Sequence, residues 1–385
     1  MSRKDVAIIT MHSVTNLGSA LQTVATSEFI RHLGYNPIIV DYEFPNAYHK
    51  ELRADRSNSK ENESWLYLHL NGLCYRLIKH NPQKKIERFK SFLASYLTFS
   101  KHYPTEDSLL KDPIQADVYL TGSDQVWNPR WIGRDLTFFL NWARNDAPRI
   151  SYASSFGSKN LSAEYLNYIS PCLKKYNAIS ERERTENLDK INLKGTVALD
   201  PTLLLNKEQW TEYFDVKRAI KQKYILCYLL KYSHDPFPYA YKVIKRIQRK
   251  LGYKVIMIYA DPINILRGYK VINDCGPQEF LNLFYNASFI ITSSFHGTAF
   301  ALNFGIPFLT ITDNRQSDDN RQASLLNEVG LGNKGLVYPD MPLDEINIPE
   351  EGFQLKSKLE TEREASMNYL KESLSRAINQ KIAIR

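Results

Sequence analysis

The chain has 385 residues, of which 43% are hydrophobic and 24% are charged, and its formal net charge is +8 at pH 7. This length predicts two to three domains, and the hydrophobic content excludes a largely disordered chain. The positive charge favours an anionic partner, but alone it does not choose among nucleic acid, phospholipid and a phosphorylated metabolite.

Strands and helices alternate in the first half of the chain. The predicted elements are a strand at 5–10, a helix at 20–33, strands at 37–42, 116–122 and 149–155, a helix at 162–175, a strand at 177–180, a further helix, and a strand at 196–200. Such alternation indicates a parallel-sheet α/β domain, which we assign to residues 1–205. Within it, residues 43–111 are charged and aromatic and predict a helical insertion, with an exposed loop at 54–64 followed by two helices.

A second α/β domain is predicted after a polar connector at 206–223. Its elements are strands at 224–230, 253–259, 269–273, 288–292 and 307–311, with helices at 238–251, from Pro277, and behind Gly297. We assign this domain to residues 206–345 and the charged remainder, 346–385, to a C-terminal helical extension. The fold class predicted from these elements is α/β, with two Rossmann-like parallel-sheet domains that face a cleft.

Several classes of protein and site are excluded by missing signals. The four cysteines are widely separated, and none has the CxxC or Cys/His spacing of a zinc site, so we expect buried thiols in a reducing compartment and no metal. No N-terminal signal segment and no run of about 18 apolar residues is present, which predicts a cytoplasmic protein without a membrane span. Zinc-finger and RNA-binding signatures are also absent, so we expect no nucleic-acid partner.

The stretch from Ser288 to Ile311, SFIITSSFHGTAFALNFGIPFLTI, has the form of an anion site. A buried strand leads through small hydroxyl residues and His296 into a helix punctuated by Gly297. In open α/β sheets, ligands bind beyond the carboxyl ends of strands, where helix N–H groups favour phosphate or carboxylate. A serine-capped helix with a half-buried histidine explains the same stretch without a ligand.

Polar clusters follow other predicted strands too. The NLGS segment at 16–19 allows a close turn into a helix, and the GSDQVWN segment at 122–128 combines a carboxylate with a tryptophan that offers an apolar plate for a sugar ring. An Asx-turn beside a core tryptophan explains the latter equally well. Arg182 follows the strand at 177–180 and suits capture of an anion, although Arg–Glu pairing on a helix face is the alternative.

Together these clusters indicate an enzyme that handles an anionic substrate and a polyhydroxylated one in a single interdomain cleft. The dinucleotide fingerprint GxGxxG, the Walker motif and the GxSxG elbow are absent. Nicotinamide chemistry and P-loop hydrolysis are therefore excluded, and no hydrolase elbow is present.

On these residues the chain resembles the polysaccharide pyruvyl transferase family over most of residues 5–330. The segments that carry the resemblance are NLGSALQ (16–22), TGSDQVWN (121–128), SYASSFG (151–157), ISERE (179–183), VALDPTLLL (197–205), the long block 277–308 and NRQASLL (320–326). The resemblance implies transfer of a pyruvyl group from phosphoenolpyruvate to two sugar hydroxyls, which gives a cyclic ketal and phosphate, on a fold similar to the two-domain glycosyltransferase B type. We expect no cofactor besides the donor substrate, phosphoenolpyruvate.

The family's functional arginine and histidine correspond to Arg182 and His296. The family pattern R-x-H is not kept, because position 294 is Ser294. The missing cation must come from elsewhere, for which Arg315 and Arg321 are candidates.

These considerations give each candidate residue a predicted role. The predicted catalytic residues are His296, as general acid/base, and Asp124. The predicted donor-binding residues are Arg182, Ser293, Ser294, Gly297, Thr298, Arg315 and Arg321. The predicted acceptor-binding residues are Asn16, Gln22, Ser123, Gln125, Trp127 and Asn128.

Two other functions remain open, a nucleotide-sugar glycosyltransferase of the same architecture and a non-catalytic glycan-assembly protein. The expected partners are phosphoenolpyruvate and a sugar of a glycan or of a polyprenyl-linked oligosaccharide. The basic, amphipathic segment 76–101 also predicts contact with an anionic membrane at its inner face. A solvated helix face over a core stripe is the alternative interpretation of that segment.

Overall fold

A computed structural model describes residues 3–43, 65–78, 81–217, 221–231, 234–315, 317, 321–353 and 356–384. The predicted exposed loop at 54–64 lies outside the described residues. The chain divides into two compact units. The first comprises Met1–Asp55, Leu93–Leu204 and Ser357–Arg385, and the second comprises Arg56–Phe92 and Leu205–Lys356.

The first half of the chain, up to Val197, contains the following α-helices and strands. In chain order they are β1 (Asp5–Ile9), α1 (Leu17–His32), β2 (Asn36–Tyr42), α2 (Trp65–Leu77), α3 (Pro82–Tyr96), β3 (Phe99–Tyr103), α4 (Glu106–Lys111), β4 (Val118–Thr121), α5 (Pro129–Ile132), β5 (Arg149–Ser151), α6 (Ala163–Leu173), β6 (Ser180–Glu181) and β7 (Thr196–Val197).

The remaining elements complete the chain. They are α7 (Lys207–Tyr213), β8 (Tyr224–Tyr228), α8 (Tyr239–Leu251), β9 (Lys254–Ile258), β10 (Lys270–Ile272), α9 (Pro277–Asn286), β11 (Phe289–Thr292), α10 (Phe295–Phe304), β12 (Phe308–Ile311), α11 (Arg321–Glu328), β13 (Leu336–Val337) and α12 (Lys356–Ile384).

The first unit is built on a parallel sheet with the strand order β3-β2-β1-β4-β5. Val6 in the central strand lies between Pro37 of β2 and Val118 of β4. The central strands β1 and β4 are apolar and buried, as expected for a parallel sheet covered on both faces. β6 and β7 pair separately, and single bridges from Ile150 to Ala178 and from Ser154 to Glu181 continue β5 towards β6.

The second unit contains a parallel sheet with the order β10-β9-β8-β11-β12-β13. In both sheets the order reverses beside the first strand, between β1 and β4 and between β8 and β11. Loops at the carboxyl ends of the strands diverge at such a topological switch point, which makes it the usual ligand-binding position of doubly wound sheets. The predicted fold class, two Rossmann-like parallel-sheet α/β domains, is confirmed.

Some elements differ from the sequence-based prediction. The helix predicted between 180 and 196 is wrong, because that region contains only a short 3₁₀ turn, Asp189–Ile191. β3 and β13 were not predicted. The first is a partly exposed strand at the sheet edge, and the second has two residues, so neither has a long apolar run.

The described residues of the predicted insertion, 43–111, form the two expected helices, α2 and α3, but they also form β3 and α4, and β3 belongs to the first sheet. α2 and α3 as far as Phe92 nevertheless group with the second unit. None of the helices in the described part of the chain is long and apolar enough to cross a lipid bilayer.

The last helix, α12, belongs from Ser357 onwards to the first unit. Ser366 accepts a hydrogen bond from the Leu199 amide at 2.9 Å, and Arg363 donates to the Leu203 carbonyl at 2.6 Å. Leu370 and Leu374 are fully buried. α12 therefore fixes the chain on both sides of Asp200.

Candidate functional site

The switch point of the first sheet joins the start of α1 to the turn after β4. Asn16 caps α1, because its Oδ1 accepts hydrogen bonds from the amides of Gly18 and Ser19 at 2.9 and 3.2 Å. The Ser19 hydroxyl in turn donates to Asp124 Oδ2. The helix start and the strand end, which are about a hundred residues apart in sequence, therefore share one carboxylate.

Asp124 has an unusual backbone conformation. Its φ angle is 78°, in the left-handed region, and its Oδ1 accepts a hydrogen bond from the Gln125 amide at 2.9 Å. Asp tolerates this region better than most residues, since its short side chain bonds to the local backbone. A strained, buried carboxylate held by other parts of the fold is typical of functional sites.

Arg182 lies among three carboxylates. Its Nη1 is 3.1 Å from Asp200 Oδ2 and 3.7 Å from Asp124 Oδ1, and its Nε is 3.2 Å from Glu183 Oε2. The guanidinium is only 1% exposed. Ser123 also donates to Asp200, at 3.0 Å, and Ser155 donates to Glu183. We call Asp124, Arg182, Glu183 and Asp200 the arginine–carboxylate cluster.

The arginine–carboxylate cluster carries one positive charge and three negative charges when all its members are ionised. A phosphate or carboxylate brought to Arg182 would also approach these three carboxylates, and like charges repel. The positive charge of Arg182 is balanced inside the protein, and its geometry suits the positioning of Asp124.

The predicted acceptor-binding residues have structural roles in this unit. Trp127 is fully buried, stacks on Phe139 at 5.8 Å between ring centroids, and donates to the Phe138 carbonyl at 3.2 Å. In this conformation the ring has no surface for a sugar. Gln125 Oε1 accepts a hydrogen bond from Asn128 at 2.6 Å, so this amide pair shapes the turn.

Two further acceptor candidates lie deeper in the switch point. Gln22 Nε2 donates to Thr10 Oγ1 at 2.8 Å, and the Thr10 hydroxyl donates to the Ser123 carbonyl at 2.9 Å. Both Gln22 and Ser123 are fully buried. They connect β1, α1 and the turn after β4 beneath the arginine–carboxylate cluster.

The switch point of the second sheet is formed by the turn between β11 and α10. Ser293 Oγ accepts a hydrogen bond from the Leu230 amide at 2.7 Å and donates to the Leu230 carbonyl at 2.9 Å. This pair fastens the turn to the end of β8. Ser294 caps α10 by accepting from the Gly297 amide at 3.3 Å. The Thr298 hydroxyl lies 3.0 Å from the Ser294 carbonyl and 2.9 Å from Thr310 Oγ1.

A side chain at 297 would not fit the present structure. A Cβ atom there would lie 2.2 Å from Thr292 Oγ1, whose hydroxyl donates to the Tyr228 carbonyl at 2.7 Å. Glycine therefore lets the first turn of α10 approach β11 closely. The predicted hydroxyl residues form this turn through their hydrogen bonds. An anion at the N-terminus of α10 would therefore be bound by main-chain N–H groups.

His296 lies in the first turn of α10, directly after the carboxyl end of β11. It is 7% exposed, and its ring packs edge-on against Phe295 at 5.3 Å between centroids. It is thus an ionisable side chain placed at the switch point of the second sheet, as the sequence suggested.

The two arginines proposed to replace the family arginine follow β12. Arg315 is exposed and lies over the Tyr338 ring at 4.3 Å. Arg321 is the first residue of α11, and its neighbour Gln322 donates to the Ser293 carbonyl at 2.9 Å. This hydrogen bond brings the start of α11 to the turn that precedes His296.

Sequence reasoning did not select Ser19, Glu181, Glu183 and Asp200. Glu181 ends β6, Glu183 follows β6 by two residues and Asp200 follows β7 by three, in ISERE and VALDPT, and that closeness to a strand end was the available signal. Glu181 is a separate case. It is 4% exposed and accepts a hydrogen bond from Thr185 at 2.6 Å. Burial, assisted by the nearby charge of Glu183, raises the pKa of Glu181 to about 8.

We expect Glu181→Gln to stabilise the protein at high pH. The folded carboxyl keeps its proton to about pH 8, whereas the unfolded one releases it near pH 4.5, so folding stability falls as the pH rises between these values. Glutamine resembles the protonated acid and has no such loss. Urea unfolding should show a gain on the order of 2–5 kcal/mol at pH 9 and a much smaller one at pH 5. A difference that stays constant across this range would contradict the assignment.

Among the described residues, no group of three or more His, Cys, Asp or Glu side chains is arranged to hold a metal ion. Each unit instead offers a protein-built polar site at its switch point. In the first it is a buried carboxylate cluster around one arginine, and in the second it is a helix N-terminus with a histidine.

Comparison with solved structures finds distant similarity over nearly the whole chain. The Methanocaldococcus jannaschii UDP-GlcNAc 2-epimerase in complex with UDP-GlcNAc and UDP is 13% identical, with 95% of this chain and 99% of that chain covered and a TM-score of 0.46. The S. aureus MnaA–UDP structure is 11% identical, with 99% and 91% covered and a TM-score of 0.48. Arabidopsis thaliana UGT89C1 with UDP-L-rhamnose is 11% identical, with 99% of each chain covered and a TM-score of 0.46. Likeness at this level does not decide the activity.

No curated protein matches the chain. The polysaccharide pyruvyl transferase family, in contrast, matches residues 16–315. The match begins at the cap of α1 and extends past His296 to Arg315, and it covers well over half of the 385 residues. The chain therefore belongs to the polysaccharide pyruvyl transferase family.

Proposed function

We propose that this chain transfers the pyruvyl group of phosphoenolpyruvate to two hydroxyls of one sugar, forming a cyclic ketal and inorganic phosphate. The family match supports a transferase of this kind. The observation that carries the mechanism is the placement of one ionisable side chain at each switch point, Asp124 in the first sheet and His296 in the second.

The reaction needs both acid and base. The methylene carbon of the enol takes up a proton, one sugar hydroxyl adds to the adjacent carbon, the bond from that carbon to the phosphate oxygen breaks, and a second hydroxyl adds in its place. Of the two hydroxyl protons released, one balances the proton gained by the new methyl group and the other leaves with phosphate. We assign His296 as general acid/base towards the donor and Asp124 as base for an acceptor hydroxyl.

The N-terminus of α10 is our proposed site for the anionic groups of the donor. Main-chain N–H groups and the helix dipole favour phosphate and carboxylate there. Gly297 lets this turn lie close to β11, and Ser293 and Thr298 stabilise the turn through hydrogen bonds. We propose Arg321 as the cation that replaces the family arginine at position 294, because Gln322 fastens the start of α11 to the same turn.

Arg182 then acts as a positioning residue. Its guanidinium faces Asp124, Glu183 and Asp200, so its charge is balanced within the arginine–carboxylate cluster. We propose that it holds Asp124 in the orientation that accepts a proton. The acceptor is proposed to be a sugar of a glycan or of a polyprenyl-linked oligosaccharide. All four cysteines are free thiols, which suits a reducing compartment such as the cytoplasm.

An assay of phosphate release tests the proposal. The protein is incubated with phosphoenolpyruvate and a set of glycan acceptors, with and without EDTA, and the glycan is examined for a ketal by mass spectrometry. We expect acceptor-dependent phosphate release that survives chelation. Release of nucleoside diphosphate from a nucleotide sugar, with no phosphate from phosphoenolpyruvate, would instead establish a glycosyltransferase.

A further inference from the structure

The large hydrophobic side chains that are exposed in the described part of the chain concentrate around one helix. α2 contributes Trp65, Leu66, Leu68, Leu73, Tyr75 and Leu77, and Ile86 and Leu266 lie on neighbouring elements. Trp65 is 75% exposed, Leu77 is 70% exposed and Leu266 is 63% exposed. The others among the described residues, Leu110 and Tyr213, lie elsewhere. A concentration of exposed large apolar side chains on one helix is typical of an interaction site.

α2 is nevertheless firmly attached to the second unit. The Tyr67 hydroxyl donates to Asp261 at 2.9 Å, the Ile263 amide donates to Asn71 at 2.9 Å, and Cys74 is buried. These three residues lie on one side of the helix, since they are spaced by four and three positions. The opposite face, on which most of the exposed side chains are apolar, is therefore held outwards by the structure.

The charge around this face is positive. α2 contains no acidic residue, and Arg76 is exposed on it. Arg267 and Lys270, next to Leu266, are exposed as well. An apolar helix face with a tryptophan and flanking arginines is complementary to the interface of an anionic bilayer, where aromatic rings lie at the headgroup level.

The basic residues of α3 have a different role, because they contact other residues of the protein. Arg88 bonds to the Asp274 carbonyl at 2.6 Å and pairs with Glu279 at 2.9 Å. Lys85 lies over the Tyr259 ring at 3.7 Å, and burial lowers its pKa. Much of the positive charge in segment 76–101 is thus used to fasten α3 to the second unit, and the outward surface is α2.

A second copy of the chain fits this face less well than a membrane does. In a two-fold contact between copies, this face would meet its own positive charges, Arg76, Arg267 and Lys270, and like charges repel. Insertion into an anionic bilayer has no such cost, because apolar side chains and basic residues contribute separately.

We infer that the outer face of α2 docks on an anionic lipid surface. Trp65 and the outward leucines enter the headgroup region, and Arg76 lies beside lipid phosphates. The inference does not depend on the proposed reaction, although it would bring the enzyme to a polyprenyl-linked acceptor.

Vesicle flotation tests this docking. The full chain is mixed with phosphatidylglycerol/phosphatidylcholine vesicles and with pure phosphatidylcholine vesicles, at low and high salt. We expect binding to the anionic vesicles that weakens as salt rises. The variant Trp65→Ser/Leu66→Ser/Leu77→Ser should bind at least about tenfold less, since each buried apolar side chain contributes to insertion. Arg76→Ser should weaken binding to the anionic vesicles alone.

The matched control is Leu110→Ser/Tyr213→Ser, which removes exposed hydrophobic side chains from other elements and should bind like the parent. Thermal melting of each variant checks the fold, and phosphate release with a soluble acceptor should be equal in all of them, which separates this test from that of the proposed reaction. Equal binding by the triple variant would overturn the inference. So would an absence of binding at low salt, or a dimer that only the triple variant disrupts.

Discussion

We expect His296→Gln to lower kcat for ketal formation by about 100-fold or more, while the protein keeps its fold. General acid/base catalysis by a positioned side chain contributes about 10²- to 10⁴-fold, and glutamine cannot transfer a proton at the required pH. Glutamine is similar in length and polarity, so the first turn of α10 should be retained. Phosphate release and ketal formation are measured at saturating phosphoenolpyruvate, together with the thermal midpoint of unfolding.

The control for this variant is His32→Gln, which changes an exposed histidine in the last turn of α1. It should leave kcat unchanged. If His296→Gln retains kcat to within about threefold, His296 is not the proton-transfer group, because the loss would be far below the range expected for general acid/base catalysis. The ketal chemistry would then need another residue.

The largest loss of stability is expected for Arg182→Met. Removing the guanidinium leaves Asp124, Glu183 and Asp200 buried near one another without their shared counter-charge. Breaking a buried ion pair in this way costs about 3–5 kcal/mol, because a buried charge is left uncompensated. Urea denaturation at pH 7 measures the change in the free energy of unfolding.

Two comparisons make this result specific. Arg376→Met removes one member of an exposed i,i+4 pair with Glu372 on α12, and it should cost less than about 1 kcal/mol. Arg182→Lys keeps the positive charge but lacks the planar guanidinium group that contacts several carboxylates at once. Its loss of folding stability should therefore lie between those of the other two variants. A cost for Arg182→Met as small as that for Arg376→Met would show that the arginine–carboxylate cluster does not depend on its arginine.

The buried parallel strands were visible in the sequence because they are short apolar runs bounded by turn residues. β1, β4, β8, β11 and β12 all belong to this type. The predicted helix after Ser180 failed because ERERTENLDK has a helical composition but is shaped by tertiary contacts. The Arg182 amide donates to the Ser154 carbonyl at 3.1 Å, which keeps the chain extended there. Such pairing overrides local propensity.

The site was predictable in position but not in the direction of its side chains. In a parallel sheet the residues that follow the strand ends lie at one edge, which is why the sequence could place Asp124 and His296 at the edges of their sheets. Whether a side chain turns into the core depends on packing, so Trp127 could not be distinguished from a sugar-binding ring. Two partners of Arg182, Asp124 and Asp200, lie in separate turns, and the third is the neighbouring Glu183. Which turns lie next to each other depends on the order of the strands, which the sequence does not show directly.

The return of α12 to the first unit affects the order in which the protein can fold on the ribosome. Asp200 lies between Leu199 and Leu203, whose backbone groups are satisfied by Ser366 and Arg363. Those two residues are translated after every strand of both sheets. The second unit can therefore complete its sheet during translation, whereas the loop that carries Asp200 acquires its last hydrogen bonds only when α12 has left the exit tunnel.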